Sequence, residues 1–135
     1  MINETKQAIA NKLKELYPAH KVYMEDVPQN FKTPSFLLIL TDQDYNKLLL
    51  NKFKSLLSFD VAYYSDKDKI EIKEDCQDVQ INLFRSFDLV GGYRIKSKQA
   101  AIVDNVLHFT FSIEISEMIQ EDYIKMQKQQ TNTNI

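Results

Sequence analysis

Ile2, Ile9, Leu13, Leu16 and Tyr17 fall within one stripe about 100° wide at ~3.6 residues per turn, and Asn11, Lys14 and Glu15 face away. This pattern predicts an amphipathic helix, capped at Asn3 and stopped by Pro18. His20 to Asp26 alternates weakly and reads as a strand, and Val27 to Pro34, with a proline near each end, reads as a loop. Ser35 to Leu40 is a short apolar run of the kind that forms a central strand. From Phe53 to Tyr64 the period is two, with Phe53, Leu57, Phe59, Val61 and Tyr63 on one side. That strand is expected to pair with its predecessor as a long hairpin.

A second helix is predicted beyond Ser65 or Asp66, either of which can cap it. Ile72, Cys76, Val79, Leu83 and Phe87 form its main apolar stripe, and Ile70, Ile81 and Phe84 fall on the opposite side. A helix apolar on two sides is either buried twice or touches something outside the monomer. The alternative is an extended Lys69 to Lys73 followed by a shorter helix. Gly91-Gly92 marks a turn, Tyr93 to Val103 a strand, Asp104-Asn105 a tight turn and Val106 to Ser116 a cleanly alternating strand. The order helix, strands, helix, hairpin predicts an α+β two-layer sandwich. Its sheet is expected to be largely antiparallel, with four to five strands and both helices mainly on one face. Residues 1–116 are expected to form this domain. The polar, low-complexity stretch 117–135 reads as a mobile tail.

Composition narrows the role. Hydrophobic residues make up 44% of the 135, enough for a core, so disorder of the whole chain is excluded. The net charge of −2 supplies no global positive field for nucleic acid. The longest apolar run, Phe36 to Leu40, is far below the ~20 residues that cross a bilayer, and the first residues do not read as a signal peptide. A role on the cytoplasmic side, away from membranes, is expected.

Chemistry is sparse. Two glycine residues, adjacent to each other, build no phosphate loop, and one cysteine cannot make an internal disulfide or a multi-thiolate metal site. Cys76 lies on the apolar stripe beside Glu74, Asp75 and Asp78, which suits a buried thiol rather than a nucleophile. His20 and His108 lack metal-ligand spacing, and His108, on the polar side of its strand, reads as a structural or interface residue. Glu71, Glu74, Asp75 and Asp78 suit the start of a helix or form a charged docking face. Arg94, Lys96 and Lys98 recur with period two and should share one strand face, available to an acidic patch on another subunit. No catalytic constellation, cofactor cradle or metal cluster is visible, which leaves an interaction protein as the reading by elimination.

Three segments carry a resemblance. They are the first helix running into Val27-Pro28-Gln29-Asn30-Phe31-Lys32-Thr33-Pro34-Ser35-Phe36, the strand Leu57 to Tyr64, and the hairpin Val103 to Phe111. In this order they resemble the small tail-terminator proteins of tailed phages and prophages of low-GC Gram-positive bacteria, over about residues 1–116. The resemblance implies a structural, non-enzymatic protein without cofactor. It would cap the head-proximal end of the tail tube as a ring, usually hexameric, stop polymerisation and offer a surface to the head connector. Its implied partners are its own copies, the tube protein and the connector. Its place would be the host cytoplasm during assembly and the neck of the virion afterwards. Candidate ring contacts are Ile70, Ile81 and Phe84, the basic strand, and the sheet edge near Asp42 to Leu50. The loop residues Pro28, Gln29, Asn30, Phe31 and Lys32 and the polar tail are candidate contacts to tube or connector. A head–tail joining protein of the same fold is the nearest alternative, and a ligand-binding or nucleic-acid-binding accessory domain a more distant one.

Overall fold

The computed structural model describes residues 2–118. In chain order the elements are α1 (Ile2–Leu16), β1 (Lys21–Met24), β2 (Ser35–Lys47), β3 (Lys52–Tyr64), α2 (Ile72–Ser86), β4 (Leu89–Val90), β5 (Tyr93–Val103) and β6 (Val106–Met118). The strands form one sheet in the order β1-β2-β3-β6-β5-β4. Neighbours are antiparallel except β1 and β2, which run parallel. The expected α+β fold is present, with six strands rather than four to five and one parallel pair. The strand expected at His20 to Asp26 is β1, and the additional one is the two-residue edge strand β4. The parallel pair arises because the loop after β1 carries the chain back along the strand before β2 starts.

Both helices rest on one face. Ile9 and Leu13 of α1 and Cys76, Val79 and Leu83 of α2 are buried against Leu57, Phe59 and Val61 of β3 and Leu107, Phe109 and Phe111 of β6. Ring contacts knit this core: Phe87 lies 5.5 Å from both Phe109 and Phe111, and Phe59 lies 5.7 Å from Phe111. Each such side chain withdraws enough apolar surface to stabilise the fold by ~1.5–3 kcal/mol.

The helix ends differ from expectation. α1 begins at Ile2, so Asn3 lies in its first turn rather than capping it. Its last backbone bond, Tyr17 N–H to Leu13 O at 2.9 Å, precedes Pro18, which has no N–H to continue. α2 starts late, with Glu71 at the cap position and no side-chain cap. Ser65 is occupied elsewhere: its hydroxyl donates to Asp75 Oδ2 at 2.5 Å and accepts from Lys67 N–H. The alternative of an extended Lys69 to Lys73 also fails, because Asp68 O accepts from Glu71 and Ile72 N–H in a helical turn. β6 runs to Met118, past the expected domain boundary at 116, and the rest of the polar stretch lies outside the described residues.

Two turns are set by residue chemistry. Asp104 and Asn105 both take positive φ, 52° and 61°, closing the β5–β6 hairpin as their types allow. Gly91 has φ +59°, and a Cβ there would stand 2.6 Å from Cβ of Ala8 in α1. Only glycine lets α1 lie this close over the β4–β5 turn.

Candidate interaction surfaces

The face of the sheet away from the helices is polar at its centre, where Asp60, Ser58, Thr110, Ser112, Glu114 and Lys96 stand together. Glu114 on β6 sits between two cations, with Lys54 Nζ of β3 at 2.5 Å and Lys96 Nζ of β5 at 2.7 Å. His108 Nδ1 lies 3.0 Å from Asp60 Oδ2 across the β6–β3 pair. These contacts brace neighbouring strands and are half-exposed, so each is worth at most ~1 kcal/mol. His108 thus has a structural partner on an exposed face. Sequence pattern could not have found Glu114 as the centre, because its two lysines come from strands far apart in the chain.

The basic strand is not one face. A β-bulge between Lys96 and Gln99, with Ser97 at φ 56°, places Ser97 and Lys98 opposite one residue of β6. Lys98 therefore turns to the helix side, where Nζ bonds the Phe84 carbonyl at 3.0 Å and Asp88 Oδ1 at 2.9 Å. Arg94 and Lys96 remain on the helix-free face and exposed. The extra residue breaks the two-residue period on which the expectation of a shared face rested.

The second stripe of α2 does not hold together either. Ile70 lies before the helix and is 90% exposed, Ile81 is on the helix and 46% exposed, and Phe84 packs edge-on against Phe109 at 5.3 Å. Phe84 is half-buried against the core, and the other two are separate exposed residues.

In the loop before β2, Pro28, Gln29 and Asn30 are exposed while Phe31 anchors it. Its ring meets Tyr64 at 5.1 Å and Tyr23 at 6.4 Å, both edge-on, and Lys32 N–H donates to the Tyr23 hydroxyl. The Thr33–Pro34 peptide bond is cis. Tyr23 and Tyr64 pair in register with Leu37 and Ser35, which are buried together with Ala62 on the helix-free face.

The largest exposed apolar feature is the tip of the β2–β3 hairpin. Leu48, Leu49 and Leu50 are 54%, 68% and 80% exposed. The turn is tied by Leu48 N–H to Lys52 O and Lys52 N–H to Leu49 O, with Leu50 at φ 55°. Below it, Tyr45 stacks on Phe53 at 5.2 Å and its hydroxyl donates to Glu117 Oε1 at 2.6 Å. A shallow concavity of about 350 Å³ opens there, lined by Leu48, Lys52, Phe53, Ser116, Glu117 and Met118. A run of exposed leucines on a projecting hairpin is a candidate contact surface.

Among the described residues no group of three or more His, Cys, Asp and Glu is placed to hold a metal ion. The Cys76 thiol is buried, and burial followed by the nearby Asp75 charge pushes its pKa up, the reverse of an activated nucleophile. No described helix is long and apolar enough to cross a membrane.

The family model described as "Phage tail terminator protein" matches residues 4–125. The chain belongs to this family. The match spans all but the first two described residues and makes this terminator-family chain a phage tail structural protein. No curated protein matches it. One solved structure without a functional name resembles this terminator-family chain with a TM-score of 0.39 and 9% identity, covering 85% of this chain and 90% of the other.

Proposed function

We propose that the protein caps the head-proximal end of the tail tube as a closed ring of its own copies, most simply six, ending tube polymerisation and presenting a surface for head attachment. Family membership over residues 4–125 carries the reading. The surface supports it. The exposed leucines lie at one end of the sheet and the loop at Pro28–Lys32 at the other, so a ring would offer two chemically distinct rims. Ring formation requires a heterologous contact that closes after a few copies. The partners are then further copies of the chain, the tube protein on one rim and the head connector on the other. Assembly takes place in the host cytoplasm, and the ring ends at the neck of the particle.

The test is electron microscopy of particles from a lysogen in which the gene is disrupted. Overlong, headless tubes are expected. Tails of normal length without heads would move the role to head–tail joining, and normal infectious particles would overturn both.

A further inference from the structure

The two edges of the sheet are stepped in opposite senses. On one edge β1 covers only Ser35 to Leu38 of β2. Glu25, at φ 66°, turns the chain away there, and its carboxylate takes the Leu40 N–H at 3.0 Å. From Thr41 to Lys47, β2 has no strand on that side among the described residues. On the other edge β4 covers only Tyr93 and Arg94 of β5, and among the described residues no strand covers Lys96 to Val103 on that side. The pairing registers give these features their heights across the sheet. Asp42, Ser58, Ser112 and Lys96 form one cross-strand row. Asp44, Leu56 and Glu114 form the next, and Arg94 stands level with it, one residue before the Ile95–Ile113 pair. By the same registers β1 lies level with Ala100 to Val103, and Leu89 of β4 lies level with Asp44.

We infer that copies of this chain join head to tail through these two edges as a lap joint. β1 of one copy seats against the open half of the next copy's β5, and β4 of that copy seats in the open half of the first copy's β2. The joint rests on the ring proposed above and names its contact. Direction fits: β1 and β5 run opposite ways and pair antiparallel, while β4 and β2 run the same way and pair in parallel. Charge fits as well. Asp42 and Asp44 lie on the helix-free face at one edge, and Lys96 and Arg94 lie on the same face and at the same heights at the other. Among the described residues Asp42, Asp44 and Arg94 engage no opposite charge. Two different edges in contact make a heterologous interface, which forms a ring when its rotation closes. Unpaired edge backbone supplies the hydrogen bonds, and the charges select the register.

Cysteine pairs on the full chain test both halves of the joint. Leu89→Cys with Asp44→Cys places thiols on adjacent strands across one step, and Lys21→Cys with Val103→Cys does so across the other. All four positions are exposed and Cys76 is buried. Each double variant, oxidised on purified tail tubes that lack the native protein, is expected to give a covalent ladder ending in one closed species. Single-cysteine chains are expected to stop at a dimer. Asp44→Arg and Arg94→Asp should each abolish capping of those tubes, and the two together should restore it. Rings visible on tube ends with the unmodified chain, but no ladder from either pair, overturn the lap joint and leave the ring standing. No ring from the unmodified chain overturns both.

Discussion

At one end of the β2–β3 hairpin, Phe36, Leu38, Phe59, Val61 and Tyr63 are buried; at the other, every residue from Thr41 to Leu50 is exposed. The same ladder runs through both, interrupted once by a bulge between Leu40 and Asp42. Backbone pairing is therefore indifferent to burial here. What differs is the cover: α1 and α2 lie over the base, and the tip projects beyond the core they close. The base holds the buried core, while the tip presents exposed apolar surface outside it.

The largest effect should come from the base. Phe59→Ala removes a fully buried ring and should cost ~3–5 kcal/mol, read from the urea midpoint at unchanged slope. A loss below ~1 kcal/mol would mean that the cluster around Phe59 is not the main core. Next is the Tyr63 hydroxyl, which donates to Asp75 Oδ2 at 2.6 Å. Burial, and then that bond, raise the pKa of the phenol well above its ordinary 10. The native state therefore holds the proton more tightly than the unfolded chain does. This stabilisation is complete below about pH 10 and lost as the pH climbs above it. Tyr63→Phe should cost ~0.5–1.5 kcal/mol at neutral pH and flatten the alkaline fall in melting temperature. An alkaline limb identical to the native one would remove Tyr63 from this role.

Smaller still is Lys54→Ala. Glu114 keeps Lys96, so the loss should be ~0–1 kcal/mol and shrink as salt is added, measured by melts at two ionic strengths. The smallest change in stability is expected at the tip. Leu49→Asp should lie within ~0.5 kcal/mol of the native protein while abolishing capping of tail tubes in a complementation assay. Retained capping by that variant would make the tip a bystander, and a large loss of stability would erase the contrast between tip and base.

Much of the fold was legible in the chain. The alternation Leu107, Phe109, Phe111, Ile113 forms the inward face of β6, and the stripe Cys76, Val79, Leu83 is the buried side of α2. The long hairpin and the Asp104-Asn105 turn also followed from pattern and residue type. Less of the candidate surface was. The leucine tip is visible in the sequence only as part of a sheet edge, because nothing local to Leu48-Leu49-Leu50 distinguishes an exposed apolar run from a buried one. The second stripe of α2 is open to burial or to an outside contact by helical parity alone, and for Phe84 it is Phe109, on a strand 25 residues later, that decides.

Periodicity is a property of neighbouring residues, so the sequence alone determined most of the helical and extended segments, though not β4 or the second half of β2, and which of their faces is apolar. Registration between strands is not local. The bulge that sends Lys98 to Asp88, the parallel seat of β1 beside β2, and the row that aligns Asp42 with Lys96 each depend on segments brought together only by folding. The tertiary structure decided these, because one inserted residue in a ladder exchanges the faces of every residue beyond it, and its position is set by what the partner strand and the packed helix accept.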